Sequence, residues 1–203
     1  MNKTLLIAGT DAGVGKTLLL TALADYGQTF YADRRISTLP LWAGPDHAQD
    51  PETSPAIGVP VGLNCDRLWA QVSEREQSCD WLLLDGVGSL GTPLTKETTL
   101  ADLAWDWRLP TLLVAPVAPG AIAQVVAQVA LARQCRVYLR GIVLNCQTPA
   151  AMTQVKTWMP VELIQSLTNV RVLGTLPYLP VPTDTEKRVQ AVGGLDLDRL
   201  LPW

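Results

Sequence analysis

Gly9-Thr10-Asp11-Ala12-Gly13-Val14-Gly15-Lys16-Thr17 stands between an apolar run, Leu5-Leu6-Ile7-Ala8, and the helix-forming Leu18-Leu19-Leu20. A buried strand therefore runs into a glycine loop and then into a helix, and that order of elements makes a phosphate cradle. Glycines let the backbone curl so that successive N–H groups face one anion, while the helix start adds the positive end of its dipole. Lys16 is placed to reach the outer phosphates and Thr17 to offer its hydroxyl to a magnesium ion. Five residues separate Gly9 from Gly15, one more than in the common P-loop. A turn with a helix cap explains Gly-Lys-Thr by itself but not its place between strand and helix, so the loop implies nucleoside triphosphate binding.

The 203 residues suffice for one large core or two small ones. No Gly/Ser-rich or charged linker divides them, and a single domain over 1–203 is expected. Sixteen basic and nineteen acidic residues leave a net charge of −3 with no basic stripe, which argues against a nucleic-acid partner. Leu5–Ala8 is too short for a signal peptide, and no stretch approaches the ~18 to 20 apolar residues of a membrane span. A cytoplasmic protein without a membrane partner is expected. Cys65, Cys79, Cys135 and Cys146 have no close spacing, which fits buried thiols in a reducing compartment. His47 is the sole histidine, which argues against a histidine-based triad and against a multi-histidine metal site.

The rest of the chain alternates. Strands are expected at Thr4–Ala8, Ile36–Leu41, Trp81–Leu84, Thr111–Ala115, Val137–Asn145 and Val170–Leu176. Helices are expected at Lys16–Tyr26, Asp66–Gln77, Thr99–Trp107, Gly120–Gln134 and around Ala151–Ser166, and a short solvated helix near Asp196 and Asp198. The proline- and glycine-rich stretch from Gly44 to Leu63 reads as a loop. Wholly apolar strands alternating with helices imply a doubly wound α/β fold of the P-loop NTPase kind, its mainly parallel sheet covered by helices on both faces. Ligands in such sheets sit at the carboxyl ends of the strands.

Those ends carry chemistry. Asp85 closes Trp81–Leu84 and opens Asp85-Gly86-Val87-Gly88-Ser89, putting a carboxylate where a magnesium ion would bridge phosphates, although a turn aspartate has the same local appearance. Asn145 ends Gly141-Ile-Val-Leu-Asn145, and its amide can both donate and accept, as an adenine edge requires; an ordinary turn asparagine is the alternative. Pro119-Gly120-Ala121-Ile122 starts a helix with no side chain over its free N–H groups, either as a plain start or as a carboxylate site. Trp105 and Trp107 are expected to pack against the sheet or an interface, and His47 to lie exposed in its loop.

With these residues in place the chain resembles the dethiobiotin synthetase family, its cyanobacterial-type branch in particular. Gly-Thr-Asp followed by three residues and Gly-Lys-Thr is that family's lengthened phosphate loop. Asp85–Gly88 with Thr92-Pro93-Leu94 and Ala101-Asp102-Leu103, the run Leu103–Pro110, Leu109–Val114, Gly141–Asn145, Gln165–Asn169 and Gly174–Leu179 match further segments in the same order. The resemblance implies a homodimeric ATP-dependent ligase that joins carbon dioxide to 7,8-diaminopelargonate. One amine takes up CO2 as a carbamate, ATP phosphorylates it, and the second amine closes the ureido ring with loss of phosphate. It further implies that Lys16 stabilises the transferred phosphoryl group and that Gly13, Val14, Gly15, Lys16, Thr17, Leu18, Asp85, Gly86, Val87, Gly88, Asn145, Pro177, Tyr178 and Leu179 surround the nucleotide. Thr17, Asp85 and Asp46 would hold Mg²⁺, with Asp50 as fallback for Asp46. Ala43, Gly120, Ala121 and Ile122 would meet the substrate, the last three from the partner subunit.

The chain also departs from the family pattern. Counting back from Gly44 puts Leu39 where the resemblance leads one to expect a second catalytic lysine, Ala43 where it implies a hydroxyl residue, and Gly13 where a glutamate is frequent. Three readings follow: a working synthetase whose missing cation comes from Arg34, Arg35 or Lys96; a nucleotide-binding paralogue without ligase turnover; and a partitioning-type ATPase, disfavoured because Thr10, Asp11 and Ala12 offer no additional lysine.

Overall fold

The computed structural model describes residues 3–41 and 63–200. Its elements, in chain order, are β1 (Thr4–Gly9), α1 (Lys16–Phe30), β2 (Ile36–Pro40), α2 (Cys65–Ser78), β3 (Trp81–Ser89), α3 (Leu100–Asp106), β4 (Thr111–Pro116), α4 (Ala121–Gln134), β5 (Leu139–Asn145), α5 (Pro149–Trp158), α6 (Val161–Thr168), β6 (Val172–Leu176), α7 (Thr185–Val192) and α8 (Leu197–Leu200). The six strands form one sheet in the order β2-β3-β1-β4-β5-β6, every neighbouring pair parallel.

Side chains alternate across a strand, and both faces here are apolar. Leu5 and Ile7 of β1, Leu83 of β3, Leu112 and Val114 of β4 and Val143 of β5 meet Leu19 and Leu23 of α1, Val192 of α7 and Leu200 of α8. The intervening residues turn the other way. Leu6, Ala8, Leu82 and Leu84 meet α2 and α3 through Leu68, Val72, Leu100 and Leu103. Leu113, Ala115, Ile142 and Leu144 meet α4 and α6 through Val125, Val129 and Ile164. Burying each such leucine contributes about 1.5 to 3 kcal/mol, which is why these strands read as unbroken apolar runs. The chain moves outward from β1 to β2, returns through β3 and crosses β1 to reach β4. The carboxyl end of β1 therefore opens at the reversal of strand order, where doubly wound sheets hold ligands.

Several details differ from expectation. The strand expected to stop at Leu84, with a glycine loop from Asp85, continues to Ser89 because β1 pairs with it to the end, Gly9 lying opposite Ser89 after a register shift. The helical stretch around 151–166 is two helices. Met159 precedes Pro160, takes an extended φ of −136° and breaks the helix, as residues before proline tend to. Helix α7, capped by Asp184 whose carboxylate accepts from the Lys187 N–H, was not expected. Of the four thiols, Cys79 and Cys146 are buried and Cys65 and Cys135 half-buried. Trp107 packs on the α2–α3 side, its ring 5.0 Å from Trp69, whereas Trp105 is exposed beneath the Arg136 guanidinium at 5.8 Å. No helix among the described residues is long and apolar enough to cross a membrane.

Candidate active site

The phosphate loop is shaped by two close approaches. A Cβ on Gly9 would lie 2.6 Å from the Asp11 carbonyl oxygen and 2.9 Å from that of Gly88, so the loop curls onto itself and against β3. Gly15, with φ +98°, caps α1 without a side chain, and a Cβ there would lie 2.0 Å from Asn145 Nδ2. The side chain of Asn145 donates from Nδ2 to the Val14 carbonyl at 2.9 Å, and Gln147 Nε2 donates to the Gly13 carbonyl at 2.6 Å. In a trans peptide C=O and N–H point opposite ways. Holding these two carbonyls toward β5 thus turns the N–H groups of Val14 and Gly15 toward the cradle. Gln147 escaped the sequence reading because a polar residue after a strand carries no pattern of its own.

Lys16 is buried at the mouth of α1, and its Nζ donates to the Asp11 carbonyl at 3.1 Å. Burial pulls its ammonium below the ordinary lysine range, while the charges of Asp85 and Asp11 push back up. Thr17 Oγ1 donates to Asp85 Oδ2 at 2.6 Å, joining the first turn of α1 to β3. Burial raises the carboxyl of Asp85, against the Thr17 hydrogen bond and the Lys16 charge. Its other oxygen, Oδ1, is buried without a partner.

A threonine hydroxyl beside an unsatisfied carboxylate oxygen suits Mg²⁺, a hard cation that binds one or two protein oxygens and fills its shell with phosphate and water. No cluster of three or more acidic, cysteine or histidine side chains occurs among the described residues. Asp46 and Asp50, like Ala43 and His47, lie outside the described residues.

An Asp85→Asn substitution is expected to raise the Mg²⁺ concentration needed for half-maximal activity and lower turnover by roughly two to three powers of ten, while making the ligand-free protein more stable. The folded carboxyl takes up its proton above the unfolded value of 3.8. Stability therefore rises as pH falls from the raised folded value to 3.8, and the burial cost is fully present above that window. Melting curves across pH should show this rise in the unaltered protein and its absence in the variant.

Elsewhere around the crevice, Leu179 packs with Val14 and Leu18 on the α1 face, and Tyr178, after Pro177, packs toward α4 and α6. Gly86, Val87 and Gly88 form the last part of β3, where Thr92 Oγ1 accepts from the Ser89 N–H at 2.8 Å. Gly120, with φ +79°, caps α4. The Ala121 N–H is occupied by the Ala118 carbonyl and that of Ala123 by Gly120, which leaves Ile122 as the first-turn donor without a backbone partner among the described residues.

Leu39 lies opposite Leu84 in β3 and packs into the α2–α3 cluster, one residue before Pro40, which lies opposite Asp85. The segment 42–62 contains neither lysine nor arginine. Arg34 and Arg35 precede β2 at the amino end of the sheet, with Arg35 beside Asp80, so neither is on the ligand side. Lys96 is on that side. It tips a tight turn in which Leu94 and Thr95 both donate to the Thr98 carbonyl, and the Leu63 N–H donates to Leu94.

A family model described as an AAA domain matches residues 60–186. The ATP-dependent dethiobiotin synthetase of Gloeothece citriformis is 42% identical, with 98% of each chain covered. That of Crocosphaera subtropica is 37% identical, covering 97% of this chain and 99% of the relative. The alignments run over 227 and 218 positions against a chain of 203, so this chain is shortened where its relatives are not. Among solved structures, the cell-division protein MinD of Aquifex aeolicus superposes with a TM-score of 0.60 at 15% identity, covering 99% of this chain and 92% of its own; that likeness shows the fold.

Proposed function

We propose the following division of labour for a chain that belongs to the ATP-dependent dethiobiotin synthetase family. The protein closes the ureido ring of dethiobiotin from 7,8-diaminopelargonate and CO2 at the expense of ATP, and the observation that carries the site assignment is the Thr17–Asp85 pair with its unpartnered oxygen beside buried Lys16. The loop N–H groups from Gly13 to Leu18 bind the phosphates. Lys16 exchanges the Asp11 carbonyl for the phosphoryl group in transfer, whose charge it neutralises in a dry site. Thr17 and Asp85 would hold Mg²⁺, joined by Asp46, and the ion would supply positive charge that screens the phosphates.

Asn145 presents Oδ1, its one free polar atom, to the base, while Pro177, Tyr178 and Leu179 flank it. Gly86, Val87 and Gly88 shape the phosphate side of β3. Gly120, Ala121 and Ile122 receive the substrate carboxylate in a homodimer, with Ile122 as the donor, and the resemblance adds Ala43, outside the described residues, to the positions that would meet the substrate. Lys96 supplies the second positive charge in place of Leu39. The whole chain acts as one domain, in the cytoplasm.

Phosphate release and dethiobiotin formation, followed with Mg-ATP, diaminopelargonate and bicarbonate and with each omitted in turn, test the assignment. Release that needs all three, with dethiobiotin found, is expected. A second reading draws on Leu39 itself: a half-buried leucine packed against the core at that place suits a relative that binds ATP without turning it over. Binding of ATP with no product under any condition would decide for it.

A further inference from the structure

Four threonines are buried among the described residues, at positions 4, 10, 111 and 168. Thr4 Oγ1 donates to Glu76, Thr111 Oγ1 to the Leu109 carbonyl at 3.0 Å, and Thr168 Oγ1 to the Ile164 carbonyl at 2.6 Å. Thr10, only 5% exposed, has no partner for its hydroxyl. The other buried side-chain atoms without partners among the described residues are Asp85 Oδ1 and Asn145 Oδ1, both at ligand-facing strand ends. A buried hydroxyl left unpaired destabilises a fold, and where every comparable threonine is paired the exception marks an atom that awaits a ligand.

The position of Thr10 indicates which ligand. Its N–H donates to the Val114 carbonyl at 2.8 Å, so the residue is fixed to the carboxyl end of β4, on the side of the loop away from Asn145. The loop residues after it lean the other way, their carbonyls held from beyond β5 by Asn145 and Gln147. Phosphate oxygens only accept, and N–H groups and Lys16 already serve them. A hydroxyl donates and accepts at once, which matches an amine that keeps an N–H while gaining carbamate oxygens. We infer that Thr10 is a substrate-orienting residue whose hydroxyl contacts the reacting nitrogen or carbamate of the diamine rather than the nucleotide.

This inference rests on the reaction proposed above, and its test separates the two. Thr10→Val keeps the shape and removes the hydroxyl, while Thr10→Ser keeps the hydroxyl. The valine variant should lose on the order of tenfold to a hundredfold in kcat/KM for diaminopelargonate, with KM for ATP changed by less than about twofold, and the serine variant should recover most of the loss. Without ligand, the valine variant should melt at or above the temperature of the unaltered protein, because it no longer buries an unpaired hydroxyl. Undiminished use of the diamine by Thr10→Val, an equal loss toward ATP, or a ligand-free melting point several degrees lower would each overturn the inference. If the unaltered protein makes no dethiobiotin, the proposed reaction itself fails and the role of Thr10 falls with it.

Discussion

Replacing Lys16 by alanine is expected to lower dethiobiotin formation by about three powers of ten or more, the largest effect of any single change in this chain. The ammonium of the buried Lys16 side chain, in the first turn of α1, donates to the Asp11 carbonyl. Its charge is held there at a cost of desolvation, which is repaid only when phosphate arrives. The same substitution should therefore leave the ligand-free melting temperature unchanged or raise it. Steady-state product formation and a melting curve on the same preparation check both halves. Retention of more than a tenth of the activity would show that Lys16 does not meet the transferred group.

Nearly as large an effect is expected at Lys96. Alanine there should cost about two to three powers of ten in kcat, and adding Leu39→Lys to that variant should restore at least about tenfold of it. All sixteen lysines and arginines lie among the described residues, so the cations of the ligand side can be surveyed completely. Near β2 and β3 the choice falls between Lys16, Lys96 and Arg67, of which Lys96 and Arg67 are both exposed, Arg67 in the first turn of α2. Lys96 sits on a turn tied to Leu63 and anchored through Leu94 in the cluster that also receives Leu39. A charge at either place should thus reach the same substrate oxygens. Full activity of Lys96→Ala, or a double variant no better than the single one, would remove Lys96 from the chemistry.

Much of the fold was legible because a parallel sheet buried on both faces writes itself as apolar runs: Leu5–Ala8, Trp81–Leu84 and Thr111–Ala115 are all strands in the structure. The phosphate loop was legible because Gly9, Gly15, Lys16 and Thr17 each meet a constraint that few residues satisfy. What escaped depends on pairing across the sheet. The extension of β3 to Ser89 follows from its partner β1, since glycines and Asp85 have no strand preference of their own. Helix α7 has a mean composition too polar to show an apolar face, yet Asp184 three residues before Lys187 was a capping signal in plain view. The packing of half-buried Leu39 against a shared cluster, and the isolation of the Thr10 hydroxyl, are tertiary facts that no spacing encodes.

The hydrogen bond from Asn145 to Val14 spans 131 residues of chain. During synthesis the phosphate loop emerges early, whereas the side chain that fixes its carbonyls emerges only after β5 has been made. A nascent chain that has reached β4 holds the whole Gly9–Thr17 motif without the brace that orients it. Nucleotide affinity should accordingly appear late, in step with the docking of β5, and ATP should act on the finished sheet as a fastener rather than on the growing chain as a template.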